Sequence, residues 1–169
     1  MVAIIFLLPL MGGCQEEGLP DEEGAEVPLS RVPDNPGYAS LPLIGTQWKL
    51  IGFVDEKRNR IKVAKSMTEY SYILKIREDG LLDGFASTNR IHAEYAFEAD
   101  RKTQIRILFF NVLTYAGEVF DGPLYIESMK KVYTSRISTK GLELRYDADK
   151  YLLFKPSDYP LPENLLFPE

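Results

Sequence analysis

YSYILKIREDGLLDGFASTNRIHAEYAF, residues 70–97, decides the fold. It opens with an alternation: Tyr70, Tyr72, Leu74 and Ile76 point one way, and Ser71, Lys75 and Arg77 the other. Period two with one polar face is the pattern of a half-exposed antiparallel strand. Glu78-Asp79-Gly80 turns the chain, because Asp-Gly tolerates the positive φ of a tight hairpin. LLDGFAS (81–87) and RIHAEYAFEA (90–99) continue as strands. In the second, Ile91, Ala93, Tyr95 and Phe97 share a face opposite His92, Glu94 and Glu98. Three such strands in a row predict an antiparallel sheet with one wet side.

The flanks extend that sheet. Upstream, LIGTQWKLIGFVD (43–55) is rich in β-formers and reads as a long first strand, and EKRNRIKVAK (56–65) as a basic turn entering a short one. Downstream, QIRILFF (104–110) reads as a strand centred on Ile105, Ile107 and Phe109. GEVFDGPLYIESMKKV (117–132) departs from period two. Phe120, Leu124 and Met129 recur near the helical period, with Glu118 and Asp121 early and Lys130 and Lys131 late, as the helix dipole prefers. Pro123 is tolerated only in a first turn, so the helix begins there and runs to about Lys131. VYTSRIS (132–138), LELRY (142–146) and YLLFK (151–155) close the domain, joined by Lys140-Gly141 and by Asp147-Ala148-Asp149. The fold class is mainly β with a minor α part: a small, curved, barrel-like antiparallel sheet packed by one short helix.

GTQWKL (45–50), DGFASTNRIHAEY (83–95) and LELRYDADKYLLF (142–154), in this order around the helix, resemble the META domain (HslJ-like) family over about residues 43–155. Gly84, Ser87, Asn89 and Tyr95 stand where that family carries its G…S/C-x-N…Y signature. Ala93 replaces the usual glycine before the tyrosine, and Thr88 stands where some relatives have cysteine, so a redox role does not carry over. The resemblance implies a curved β-structure packed by a helix and no known enzymatic activity. In local terms Gly84 permits a bend or close strand approach, Asn89 bridges backbone at a strand corner, and Tyr95 returns to the core. A lipocalin-like barrel is the alternative fold; its G-x-W opening differs by one residue from Gly45-Thr46-Gln47-Trp48, which reverses the faces of the two residues.

The N-terminus suggests an address. Val2 to Leu10 is apolar, too short for a membrane-spanning helix of roughly 20 residues and the right length for a secretory signal. It ends in Met11-Gly12-Gly13-Cys14, and Cys14 is the only cysteine among 169 residues. This resembles the lipobox of a bacterial lipoprotein, in which small residues precede the cut and the cysteine thiol is acylated. The predicted organisation is a signal peptide (1–13), a lipidated Cys14 with an acidic, proline-rich tether (14–40), a META-like β domain (41–157) and an extended C-terminal tail (158–169). The tether's composition buries too little apolar surface to offset its ordering entropy. Gln15 in place of aspartate favours the outer membrane, and Gln15-Glu16-Glu17 resembles the export stretch of surface lipoproteins of the Bacteroidetes. The tail would lie over a sheet edge through Leu165, Leu166 and Phe167.

Charge and chemistry narrow the function. The net charge of −5 is uneven: residues 1–40 hold seven acids against Arg31, which leaves residues 41–157 mildly basic. Lys57, Arg58, Arg60, Lys62 and Lys65 form the densest basic patch, a candidate contact for anionic glycan or lipid, or simply a solvated face. Outside the cell nucleic acid is not a partner. One histidine and one lipid-bound cysteine build neither a zinc site nor a Cys-His pair, so no metal or other cofactor is expected. His92 falls on the polar strand face and reads as solvated. Ser87, in F-A-S-T-N, lacks the G-x-S-x-G elbow of a nucleophile. The carboxylate pairs Glu78/Asp79 and Asp147/Asp149 occupy turns, where aspartate is expected on backbone grounds. The favoured expectation is a non-enzymatic envelope lipoprotein that binds an envelope protein or glycan or supports stress tolerance. The alternatives are a lipocalin-like carrier of a small apolar ligand, whose cavity the ten tyrosines and nine phenylalanines would line, and a surface glycan hydrolase.

Overall fold

Leu50-Ile51-Gly52-Phe53-Val54 contains no polar side chain because both faces of its strand are covered. The computed structural model describes residues 23–98, 101–114 and 116–157. In it this run lies within β2 (Gln47–Asp55), at the middle of one antiparallel sheet. The other strands are β1 (Glu26–Pro28), β3 (Arg60–Val63), β4 (Ile73–Ile76), β5 (Leu81–Phe85), β6 (Arg90–Glu98), β7 (Arg101–Val112), β8 (Thr134–Ser138), β9 (Gly141–Asp147) and β10 (Lys150–Pro156), with one helix, α1 (Gly122–Lys130). Their order is β7-β6-β5-β4-β2-β10-β9-β8. The first half of β2 pairs with β4 and its second half with β3, which in turn carries β1. The sheet curls until its end strands β7 and β8 approach each other, a half-barrel. Apart from the β3 excursion the order is a sequential up-and-down meander whose last strand returns beside β2, and the break in the ring falls between β7 and β8.

The concave side holds the main core. Trp48, Tyr72, Leu74, Ile76, Leu82, Tyr125, Met129 and Phe154 are buried there, with α1 lying across them. A bulge sets which residues enter. Between Leu153 and Phe154 the register of β10 on β2 shifts, so the Ile51 position is the extra one. Leu50 and Phe53 therefore join the main core, whereas Ile51 and Val54 face out.

What covers the outward side corrects the domain boundary. Residues 23–40, expected as tether, belong to the folded body. Val27 and Val32 are buried against Ile51, Val54, Ile61, Val63, Tyr151 and Leu153, forming a second, smaller core. β1 pairs with β3, the Val63 amide donates to the Ala25 carbonyl at 2.9 Å, and Lys140 Nζ donates to the Val32 carbonyl at 2.8 Å and to Asp34 at 3.0 Å. Two short 3-10 turns, Leu29–Arg31 and Pro36–Ser40, complete this strap. Pro28 ends the edge strand β1 and Pro36 opens the second 3-10 turn, positions where a missing N–H costs little. The signal peptide, Cys14, the first part of the tether and the C-terminal tail lie outside the described residues.

Other expectations shift locally. The first strand begins at Gln47, not Leu43, because Gly45 takes φ +85° and turns the chain ahead of it. β4 is shorter than its alternation: Tyr72 adopts φ +60°, and Ser71 is fully buried instead of wet. On β7 the register on β6 shifts between Glu94 and Tyr95, which leaves Phe109 exposed and turns Phe110 toward the core. Helix α1 appears where expected, but it buries Tyr125 and Met129 one turn apart, while Phe120 and Leu124 are exposed.

Candidate functional site

The corner between β5 and β6 gathers the densest set of polar side chains. Ser87 and Asn89, 3% and 1% exposed, face the loop that enters α1. Glu118 from that loop accepts from four donors: the Ser87 amide at 3.0 Å, the Ser87 hydroxyl, the Thr88 amide at 3.3 Å and Asn89 Nδ2 at 2.6 Å. Asn89 Nδ2 also donates to the Ala116 carbonyl at 2.6 Å, and its Oδ1 accepts from the Ala116 amide at 2.9 Å and the Thr114 hydroxyl at 2.7 Å. Ser87 Oγ accepts from the Val119 amide at 2.9 Å. A short polar side chain at a strand corner can bridge two segments in this way, replacing ladder bonds that the turn forfeits. Oε2 receives three of these donors and Oε1 the fourth, so Glu118 works as a clamp between the corner and the loop.

The neighbouring layer is similar. Ser71 donates to the Ser87 carbonyl at 2.8 Å and accepts from the Met67 and Thr68 amides, each at 3.2 Å. Asp121 accepts from the Lys65 amide at 3.1 Å and pairs with Lys62. The Tyr72 and Tyr125 hydroxyls are buried without a well-formed hydrogen bond among the described residues, and their rings meet edge to face at 5.2 Å. Burial raises both phenol pKa values; the Asp121 charge adds to this at Tyr72, and Tyr72 adds to it at Tyr125.

Gly84 lies where β5 crosses β4 so closely that a Cβ there would stand 2.1 Å from the Ile73 carbonyl oxygen. Tyr95 has its ring in the core and its hydroxyl donating to the Arg77 carbonyl. His92 is not simply solvated: Nδ1 lies 2.7 Å from Asp83 Oδ1, and the same buried carboxylate receives Arg77 NH1 at 3.0 Å. Asp79 of the Glu78/Asp79 turn pairs with Arg77, and Asp147 accepts from the Ala148 amide at 2.7 Å.

The basic patch is divided by pairing. Arg58 lies 2.9 Å and Arg60 3.4 Å from Glu26 of the strap, Lys62 pairs with Asp121, and Lys65 Nζ sits 4.3 Å above the Phe120 ring. Lys57 is exposed on the turn before them. Sequence reasoning missed Glu118, the hub of the corner, because an acid ahead of a helix reads as dipole complement. It also missed a groove of about 510 Å³ lined by Glu23, Lys49, Met67, Glu69, Lys155 and Ser157. There Lys49 Nζ donates to the carbonyls of Glu69 at 3.0 Å, Thr68 at 3.4 Å and Ser71, and burial pushes its ammonium down to about 8. No group of three His, Cys, Asp or Glu residues able to hold a metal occurs among the described residues.

Comparison with known proteins places the fold. It resembles a protein from Burkholderia xenovorans solved by NMR, with a TM-score of 0.52 and 17% identity over 75% of this chain and 91% of that one. A crystal structure of a DUF4847 family protein from Bacteroides vulgatus ATCC 8482 matches with a TM-score of 0.46 and 12% identity, over 69% of this chain and 92% of that one. No family model and no curated protein matches the sequence. The first likeness concerns the fold alone.

Proposed function

We propose that the protein is a bacterial envelope lipoprotein, held at the outer membrane by a lipid on Cys14, whose META-like β domain acts by contact, binding an envelope protein or glycan or supporting stress tolerance. The observation that carries this reading is the position of the sole cysteine, directly after Gly12-Gly13 and a nine-residue apolar run. Among the described residues no helix is long and apolar enough to cross a membrane, so attachment by a helix within the folded body is not the basis of the reading.

Contact without turnover is favoured by how the polar groups are used. Glu118, Asp83, Asp121 and Glu143 are each held by donors or cations of the protein itself. A glycan hydrolase needs two carboxyl groups facing each other across open space. A carrier of an apolar ligand needs space on the concave side, where Trp48, Tyr72, Tyr125 and Phe154 are fully buried.

Mass spectrometry of the protein isolated from its own host tests the proposal. The expected result is a mature chain beginning at Cys14 and bearing acyl chains. A free thiol with residues 1–13 still attached would overturn it.

A further inference from the structure

The folded body starts far closer to Cys14 than its composition suggests. Only eight residues, 15–22, separate Cys14 from Glu23, where the strap begins, a span of nine Cα–Cα steps. Fully extended they reach at most about 30 Å, and as a coil roughly 16 Å. The headgroup layer takes roughly 6 Å of that, half the difference between the full bilayer and its hydrocarbon core. The surface around Glu23 is therefore the one an anchored domain turns toward the lipid.

That surface has unusual side chains. The Ser66 amide donates to Glu23 at 3.4 Å, and the next residue, Met67, is 60% exposed. On the other side of Ser66, Lys65 covers Phe120, itself 52% exposed, and one helical turn on lies Leu124, 40% exposed. Phe120 holds φ +50°, a left-handed conformation that a bulky residue adopts only against a steric cost. That cost falls on a side chain that buries little within the protein. Lys65 lies over the Phe120 ring, the arrangement in which an aliphatic stem accompanies an apolar tip into an interface while its ammonium meets phosphate, and Lys62, paired with Asp121, adds a second, half-exposed cation beside Phe120.

We propose that Met67, Phe120 and Leu124 form a membrane contact which seats the domain on the bilayer that anchors Cys14. The proposal rests on the anchoring reading and adds an orientation to it. Leu108 and Phe109, similarly exposed on β7, have no such link to the exit at Glu23.

The test uses the full lipidated chain, reconstituted in vesicles of phosphatidylethanolamine and phosphatidylglycerol carrying brominated acyl chains. An environment-sensitive dye is placed at M67C in one preparation and at D149C in another. Asp149 adjoins the start of β10, some 17 Å along the strand from Lys155 of the groove. The expected result is a blue shift and quenching at position 67, neither at position 149, and loss of both signals in Phe120→Asn with Leu124→Ser. Asparagine tolerates the left-handed backbone, so this variant retains the fold. If the protein floats with the vesicles but the two dyes respond alike, the orientation fails and the anchoring reading stands. If protein from the host carries no lipid and does not float, both fail.

Discussion

At the centre of the sheet, β2 and β10 bury side chains on both faces; at its far side, β6 and β7 bury one face and leave the other wet. Along β10, Tyr151 and Leu153 lie under the strap while Leu152 and Phe154 enter the main core. Along β6, Ile91, Ala93 and Tyr95 are buried while His92 and Glu94 meet water or charged neighbours. The centre is thus held by apolar burial on two sides, and the corner of the wing by hydrogen bonds radiating from Asn89 and Glu118. A sheet with one face already packed needs a second cover only where its outward residues are apolar, and the strap supplies it there.

The adjacent residues Leu153 and Phe154 put this contrast to its hardest test. Phe154→Ala is expected to cost about 3–5 kcal/mol in chemical denaturation, and Leu153→Ala about 3 kcal/mol. A loss below about 1 kcal/mol for Leu153→Ala would mean that the strap does not seal the outward side in solution. In the wing, Asn89→Ala removes a hub donor of the half-buried Glu118 carboxylate and should cost about 2 kcal/mol, read as a lower denaturation midpoint.

Proton linkage sharpens the comparison at the centre. Burial, with the Glu143 and Glu56 charges behind it, pushes the Tyr151 phenol up to about 12. A pKa raised in the fold gives stability that is complete below the unfolded value near 10 and lost as pH climbs to the folded one. Between pH 8 and pH 11 the wild type should therefore lose about 1 kcal/mol that Tyr151→Phe, with no phenol to titrate, does not lose, seen by comparing denaturation curves at the two pH values. The smallest effect belongs to the wing's exposed face: Phe109→Ser should change stability by less than about 0.5 kcal/mol.

Strong local periodicity made part of this legible. Strands β5 and β6 and the turn at Gly80 follow from alternation and from Asp-Gly alone. The unbroken apolar runs at 50–54 and 151–154 also carried a signal, for a strand wet on one side would alternate. Its cover was hidden because two valines among acids and prolines do not outweigh a composition typical of tether, and their burial depends on non-local partners on β2, β3 and the far strand β10. Phe109 was misplaced because a bulge leaves no mark in the periodicity on either side of it. Glu118 acts through contacts some 30 residues back along the chain, which no local pattern encodes.

The strap also bears on how this protein can be handled at the bench. A truncation at Leu41, where the globular composition begins, would strip Val27 and Val32 from the sheet and present a greasy plane to solvent, beside an unpaired β3 edge. Such a fragment would clump on expression, and an insoluble product would say nothing about the intact molecule.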